Sequence, residues 1–364
     1  LVYKLVYENL KHRPVRTLLS SLAIGLGVTM MLALVGVGEG MLEDQANRAR
    51  GVGADLVVRA PGSSVVGMGS LSMNQKILDY VRARPHVTLA TPIGIHSTGG
   101  VSSIMGINYD EFAAMSGGFR FREGRQFAAP DDVIIDDLYA REKKLKVGSV
   151  LHTMNRDWRV SGIFGSGKLA RVMIPLTVLQ ELASANGKIT MIYVKLDNPA
   201  NTQAVIDAMK QDLPEYPIYA MEELIKQFSV NNLPELKAFI GVVVSLAVLF
   251  GFLVVFLAMY TAVLERTREI GILKALGAGP GYVLGILLRE TVLLAVIGSL
   301  CGIAMSYGTR WLIATFIPAS MIQAIVYSWW PIASLITLAG AVLGVLYPAL
   351  KAARQDALDS LSYD

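Results

Sequence analysis

Long uncharged runs of apolar residues set the plan of this chain. Thr17–Gly38 and Ala238–Leu264 contain no charged residue, and Trp311–Leu350 contains none either. A helix crossing a hydrocarbon core of about 30 Å needs about 20 apolar residues, so residues 17–38 and 238–264 each predict one span. Trp311–Leu350 is too long for one span and is cut by Pro318 and Pro331. Its second part, 328–350, predicts another span with Tyr327, Trp329 and Trp330 at its outer aromatic edge. Between the second and last runs, Gly281–Leu288 is apolar, Arg289-Glu290 interrupts, and Thr291–Thr309 is apolar again. Ions inside the hydrocarbon are costly, whereas arginine can stretch to the headgroups, so 281–309 is expected to be an interfacial turn followed by a span. Small residues recur four apart on these runs: Ser21, Gly25 and Thr29; Gly298, Gly302 and Ser306; Gly340 and Gly344. Such stripes suit close helix packing in lipid.

Residues 39–237 contain no run long enough to span and show mixed strand and helix periodicities. Ala54–Ala60 reads as a strand closed by Pro61-Gly62, Met73–Arg84 as a helix, Val101–Ile107 as a strand and Tyr109–Met115 as a short helix. That order suggests a βαβ-type half-unit. After Gly117-Gly118 come short strands at Asp132–Ile135, Val150–Met154, Trp158–Phe164 and Arg171–Ile174, then a helix at Thr177–Ala185. From Ile189 the first pattern resumes, with a strand to Leu196, a helix Thr202–Asp212 and a strand Pro217–Met221. The simplest organisation is a discontinuous α/β lobe, 39–116 and 189–237, holding a β-rich inserted lobe, 117–188. The expected fold class is thus an α-helical membrane protein with four transmembrane helices and a two-lobed α+β domain between the first two.

Composition agrees with that mixture. Of 364 residues 53% are hydrophobic and 17% charged, too apolar for a soluble domain and too charged for membrane helices alone. The formal net charge of +4 matters less than where the bases sit. They cluster in segment 1–16, in 265–280 and in the tail 351–364, and the connection 310–327 carries Arg310 alone. The positive-inside rule puts both termini and 265–280 in the cytoplasm and leaves 39–237 outside. Residues 17–38 are too long for a signal-peptide core and lack a small-residue cleavage site, so they are read as a retained span. Leu1 is not an initiator residue, so the polypeptide is expected to begin before it.

The stretch Glu265–Gly279, ERTREIGILKALGAG, follows the second run directly. Ile270, Leu273 and Leu276 repeat at helical spacing among Arg266, Arg268, Glu269 and Lys274, and Gly277-Ala278-Gly279-Pro280 is a helix stop. Physics alone allows a docking handle or a helix lying on headgroups. The wording of the stretch resembles the cytoplasmic coupling segment of the MacB/FtsX-like permeases, the membrane subunits of mechanotransmission-type ABC transporters. The tail around Tyr347–Arg354 and Ala357-Leu358 resembles the ending of the same family, with Asp356-Ala357 where the family often has Asp-Pro. The resemblance implies a two-lobed outer domain and an inner-membrane permease dimer, of identical or related chains, docked to two ABC ATPase subunits. It implies that Glu265, Arg266, Arg268, Glu269, Ile270, Gly271, Leu273, Lys274 and Gly277 meet the ATPase, with Ile270 and Leu273 entering an apolar groove. ATP and Mg would bind to that partner, a separate polypeptide, and this chain would hold no cofactor and hydrolyse nothing. A periplasmic adaptor or an extracytoplasmic substrate protein is an expected outer partner. Export and the control of a cell-wall hydrolase remain alternatives, while a secondary transporter should show ionisable residues deep in its spans.

Other chemistry is weakly signalled. Gly162–Lys168 has the G-x-x-x-x-G-K spacing of a phosphate loop, but Leu169 stands where Ser or Thr would hold Mg²⁺ and a strand follows, so a Gly-rich hairpin is expected. His12, His86, His96 and His152 show no ligand spacing, and the single Cys301 lies in an apolar run, so no metal site is expected. Asp131-Asp132 and Asp136-Asp137 read as solvated turns flanking a strand. No polybasic block suggests nucleic acid.

Overall fold

A computed structural model describes residues 14–62, 72–99, 102–227, 234–265 and 267–354. It divides into two compact units: Gly40–Asn232 with Ile313–Ile322, and a helical unit formed by the rest.

Among the described residues four helices are long and apolar enough to cross a membrane. They belong to Pro14–Arg50, Pro234–Glu265, Pro280–Phe316 and Trp329–Arg354, called here the first to fourth long helices. The first helix continues beyond the apolar run because Glu39–Arg50 keeps good helix formers and meets no Pro before Gly51-Val52-Gly53 ends it. Pro234 is the first residue of its helix, where a missing N–H costs nothing. The expected interfacial turn over 281–290 is not found: Pro280–Phe316 is one unbroken helix, and Glu290 is only 5% exposed within it. No Gly-Pro signal follows Pro280, so nothing in the sequence ends the turn once begun. The unit's core gathers Ile24, Val255, Met259, Leu294, Ala341 and Val345. After the third helix the chain folds back, and Ala324 N donates to Gly36 O at 2.8 Å while Thr309 Oγ1 donates to Gln323 Oε1 at 3.1 Å.

Among its described residues the other unit contains twelve strands. They are β1 (Leu56–Arg59), β2 (Met73–Asn74), β3 (Val87–Gly99), β4 (Ser102–Ile107), β5 (Phe121–Gly124) and β6 (Asp132–Asp136). Then follow β7 (Val150–Thr153), β8 (Arg156–Phe164), β9 (Val172–Pro175), β10 (Lys188–Ile189), β11 (Met191–Leu196) and β12 (Ile218–Ala220). Ten make one sheet in the order β12-β1-β11-β3-β4-β9-β6-β8-β5, with β7 beside β8. A βαβ half-unit is present and split, but its second strand is β3 rather than the expected Val101–Ile107 strand, which is β4 and runs antiparallel to β3. β1, helix Ile77–Arg82 and β3 form it, with antiparallel β11 between the two parallel strands. β11, helix Thr202–Asp212 and β12 form a second, split by β1. Interleaved, they give the ferredoxin-like order. Leu56 and Val58 pack under these helices with Leu78, Val81, Val205 and Ile206, whereas Val57 faces Ile93, Phe112 and Met191 on the other side. The period-2 alternation of a strand produces that division.

β3 has no counterpart in the sequence reading. Pro92 and Gly94 interrupt its apolar pattern, yet it is an interior strand between β11 and β4. The β-rich segment has strands β5 to β9 with helices Asp137–Lys143 and Leu176–Leu182, and Trp158, Val133, Ile135 and Ile174 fill its core. It does not form a sheet of its own: Met105–Ile107 of β4 pairs in parallel with Met173–Pro175 of β9.

Candidate functional site

The stretch after the second long helix forms a helix of its own, Thr267–Ala275. Thr267 Oγ1 donates to the carbonyls of Val263 at 3.1 Å and Leu264 at 2.9 Å, closing the end of the preceding helix. Gly277 has φ +93°, its N–H donates to Lys274 O at 2.9 Å, and Ala278 N–H donates to Leu273 O at 2.9 Å. This is the Schellman ending, in which the left-handed residue favours glycine.

Of the candidate coupling residues, Arg266 lies outside the described residues, and Arg268 and Glu269 fall within the helix. Glu265 and Gly277 are exposed, and Leu273 and Lys274 are half-buried. Gly271 is buried. Ile270 is 6% exposed and belongs to the core with Val263, Val283 and Ile286, so it is not free to enter a partner's groove as expected. Each step of three residues falls about 60° short of a full turn on a helix, so Leu276 is displaced about 120° from Ile270 around the axis. Leu276 ends up 81% exposed, and Ile272, between the periodic positions, is 47% exposed. Among the described residues these two are the large apolar side chains the segment exposes.

The small-residue stripes lie at helix crossings. An added Cβ on Gly25 would come 2.9 Å from Gly298 O and 3.2 Å from Gly302 N, and one on Gly298 would come 3.0 Å from Ser21 O. Thr29 Oγ1 lies 3.1 Å from Gly302 O and 2.8 Å from Gly25 O, joining the first and third long helices by hydrogen bonding at their closest approach. On the fourth long helix, a Cβ on Gly344 would come 2.8 Å from Phe252 O, and one on Gly340 would come 3.4 Å from Val248 Cγ1. Both contacts are with the second long helix, which leads into the Thr267–Ala275 segment.

In the sheet unit the acidic pairs do not form solvated turns. Asp132, Asp136 and Asp137 are buried, and each has a partner distant in sequence. Arg159 donates from Nε and Nη2 to Asp132 Oδ1 at 2.9 and 2.7 Å. Burial pushes the Asp132 carboxyl up, but the N–H groups of Ala128 and Ala129 together with Arg159 outweigh it and hold the group below the usual range. Asp136 accepts from Tyr139 N at 2.7 Å, capping helix Asp137–Lys143, and from Arg171 Nη1 at 2.8 Å. Arg171 Nη2 reaches Asp44 Oδ2 at 2.9 Å, on the extension of the first long helix. Burial raises the Asp136 carboxyl even though Arg171 opposes it. Glu142 accepts from Ala319 N and Ser320 N, both at 2.9 Å, and from Ser320 Oγ at 2.6 Å. One carboxylate thereby caps the segment that follows the third long helix.

The phosphate-loop spacing at Gly162–Lys168 begins in β8 and ends in a loop, but the expected hairpin is absent because β6 lies between β8 and β9. Lys168 Nζ donates to Ser116 O, and burial lowers its pKa, aided by Arg120. Among the described residues no group of three or more His, Cys, Asp or Glu could hold a metal.

Residues 17–212 match the MacB-like periplasmic core domain, and residues 241–357 match the FtsX-like permease C-terminal domain. The chain belongs to this MacB/FtsX-like family of ABC transporter permeases. It is 26% identical over 395 residues to a macrolide export ATP-binding/permease protein MacB of Escherichia coli, covering 99% of this chain and 60% of that protein. A MacB of Burkholderia cenocepacia strain HI2424 is 26% identical over 398 residues, covering 97% of this chain and 56% of that protein. The chain thus spans about 60% of the length of the curated relatives it matches. Among solved structures, the periplasmic region of MacB from Actinobacillus actinomycetemcomitans matches at 16% identity and a TM-score of 0.37, covering 49% of this chain and 94% of that one. The relatives and the four apolar helices make this an inner-membrane protein.

Proposed function

We propose that this chain is the permease partner of an ABC ATPase and converts ATP binding and hydrolysis there into movement of its outer domain, driving export or extraction of a substrate. The observation that carries the reading is the short helix Thr267–Ala275, stopped by Gly277 and presenting Ile272 and Leu276 outward. Exposed leucine at the tip of a charged helix suits insertion into an apolar groove of a soluble partner. Glu265, Arg266, Arg268, Glu269 and Lys274 supply the ionic rim of that contact. The bases around this segment favour a cytoplasmic position for it and for both termini, which would leave the sheet unit outside. A second copy of the chain, or a related permease, completes the assembly. The export named for the Escherichia coli relative favours export over control of a hydrolase here.

Co-purification of the full chain with its candidate ATPase tests this. Wild type should retain the ATPase, and Ile272→Asp/Leu276→Asp should lose it without changing the thermal unfolding of the chain. Equal retention by both would remove the segment as the docking handle. No retention by wild type would overturn the coupling itself.

A further inference from the structure

Helix Asp137–Lys143 and the turn after it place Arg141, Lys143, Lys144 and Lys146 within six residues, and all four are exposed. The acids interspersed with them are turned inward. The Asp136, Asp137 and Glu142 side chains are 1%, 7% and 8% exposed, against 64% for Arg141 and 52% for Lys143. Asp137 is held by Arg122 Nη2 at 2.8 Å and Ser166 N at 2.9 Å, and Glu142 is occupied by Ala319 and Ser320. A sequence close to neutral thus presents a cationic surface.

Two further observations give that surface a location. Lys144 ends the helix at φ +54°, a left-handed position that favours glycine, so a lysine stands where a smaller residue would sit more easily. Ser320, bonded to Glu142, is four residues beyond Phe316, where the third long helix ends. At about 3.5 Å per residue the chain cannot carry it more than about 14 Å from that helix end. The basic residues flanking Glu142 are therefore held by a short tether to the end of that helix, one of those long and apolar enough to cross a membrane among the described residues. Val147, in the turn that follows, and Val150, the first residue of β7, are 41% and 61% exposed.

We propose that this face of the β-rich segment rests on an anionic lipid surface. Arg141, Lys143, Lys144 and Lys146 would pair with headgroup phosphates, and Val147 and Val150 would meet the upper acyl boundary. Clusters of four or more bases beside a membrane helix bind anionic lipid in this way, and exposed apolar residues strengthen the contact. The buried acids and the tether distinguish the cluster from a solvated charge run. This reading is independent of the ATPase contact, and its test contains no ATPase.

The experiment uses the full chain in nanodiscs of phosphatidylcholine, with or without about one third phosphatidylglycerol, and follows hydrogen exchange over Leu145–Val150. Exchange should slow at least about threefold in the anionic discs and recover in high salt, which screens charges within a Debye length. Lys143→Gln/Lys144→Gln/Lys146→Gln should abolish the difference, whereas Lys188→Gln/Lys210→Gln should keep it. Lys144→Gly, which removes one charge while easing the backbone, should give an intermediate slowing in a fully folded chain. Equal exchange in both discs overturns the proposal, as does a difference that survives the triple variant. Protection by a polyglutamate peptide in detergent but not by anionic discs would also overturn it, in favour of an acidic protein partner.

Discussion

Arg171 lies 2.9 Å from Asp44, tying the loop before β9 to the last turns of the first long helix. The same guanidinium holds Asp136 at 2.8 Å, and the three side chains are 13%, 15% and 1% exposed. Removing one partner of a buried pair leaves the other charge desolvated and unpaired, which costs about 3–5 kcal/mol. Arg171→Ala should therefore lower the thermal unfolding temperature sharply. Arg171→Lys should recover only part of the loss, because a point charge cannot reach two carboxylates as a planar fork does.

The Glu142 contact should depend on pH in one direction. Burial pushes this carboxyl up, but Ser320, Ala319 and nearby Lys143 outweigh it and hold it below the ordinary range. Its folded pKa is lower than its unfolded value of about 4.3. The contact is then fully present above that pH and is lost as pH falls through the folded value. The protection of the Ala319 and Ser320 N–H groups, as exchange relative to the free-peptide rate at each pH, should be high at neutral pH and fall as pH drops through the folded pKa of Glu142. Glu142→Ala should release both N–H groups at every pH, at about 1–3 kcal/mol for the lost partner.

Glycines on the third long helix should respond differently to alanine. A Cβ at Gly302 would come 2.5 Å from Gly25 O and 2.6 Å from Val28 Cβ, while one at Gly308 would meet nothing within 4 Å. Gly302→Ala must push the helices apart, costing about 1–3 kcal/mol. Gly308→Ala should be neutral or slightly stabilising in a helix. Thermal unfolding in detergent distinguishes the two, and similar melting for both would disprove close packing at this crossing.

Two apolar residues of the proposed coupling segment should separate stability from coupling. Ile270→Ala opens a cavity in the core and should cost about 2–5 kcal/mol. Leu276→Ala is a surface change worth within about 0.5 kcal/mol, yet it should reduce stimulation of ATP hydrolysis in the partner. If the two variants lose coupling only in proportion to stability, Leu276 is not a contact.

The long helices were legible because an unbroken apolar run has few other fates, and Gly277 was legible because few residues accept its backbone. The small-residue stripes marked positions but not pairings; that Gly25 meets Gly298 and Gly302 depends on distances the sequence does not state. Asp132 and Asp136 were misread because their partners, Arg159 and Arg171, lie beyond any local window. β3 was missed because Pro92 and Gly94 signal a turn, and burial between two neighbouring strands overrides them. Ile270 was aimed outward by the family resemblance, which does not state which side of this helix packs on its own core.

The pairing of β4 with β9 has a bearing on solubility. A strand at the rim of a sheet offers unpaired backbone groups to any passing chain, and such rims seed aggregation unless covered. Here β4 and β9 cover one another. A fragment trimmed to the ferredoxin-like half would bare β4, and one trimmed to the β-rich half would bare β9. Each half serves as the other's guard against misassociation, so the sheet unit is best handled whole.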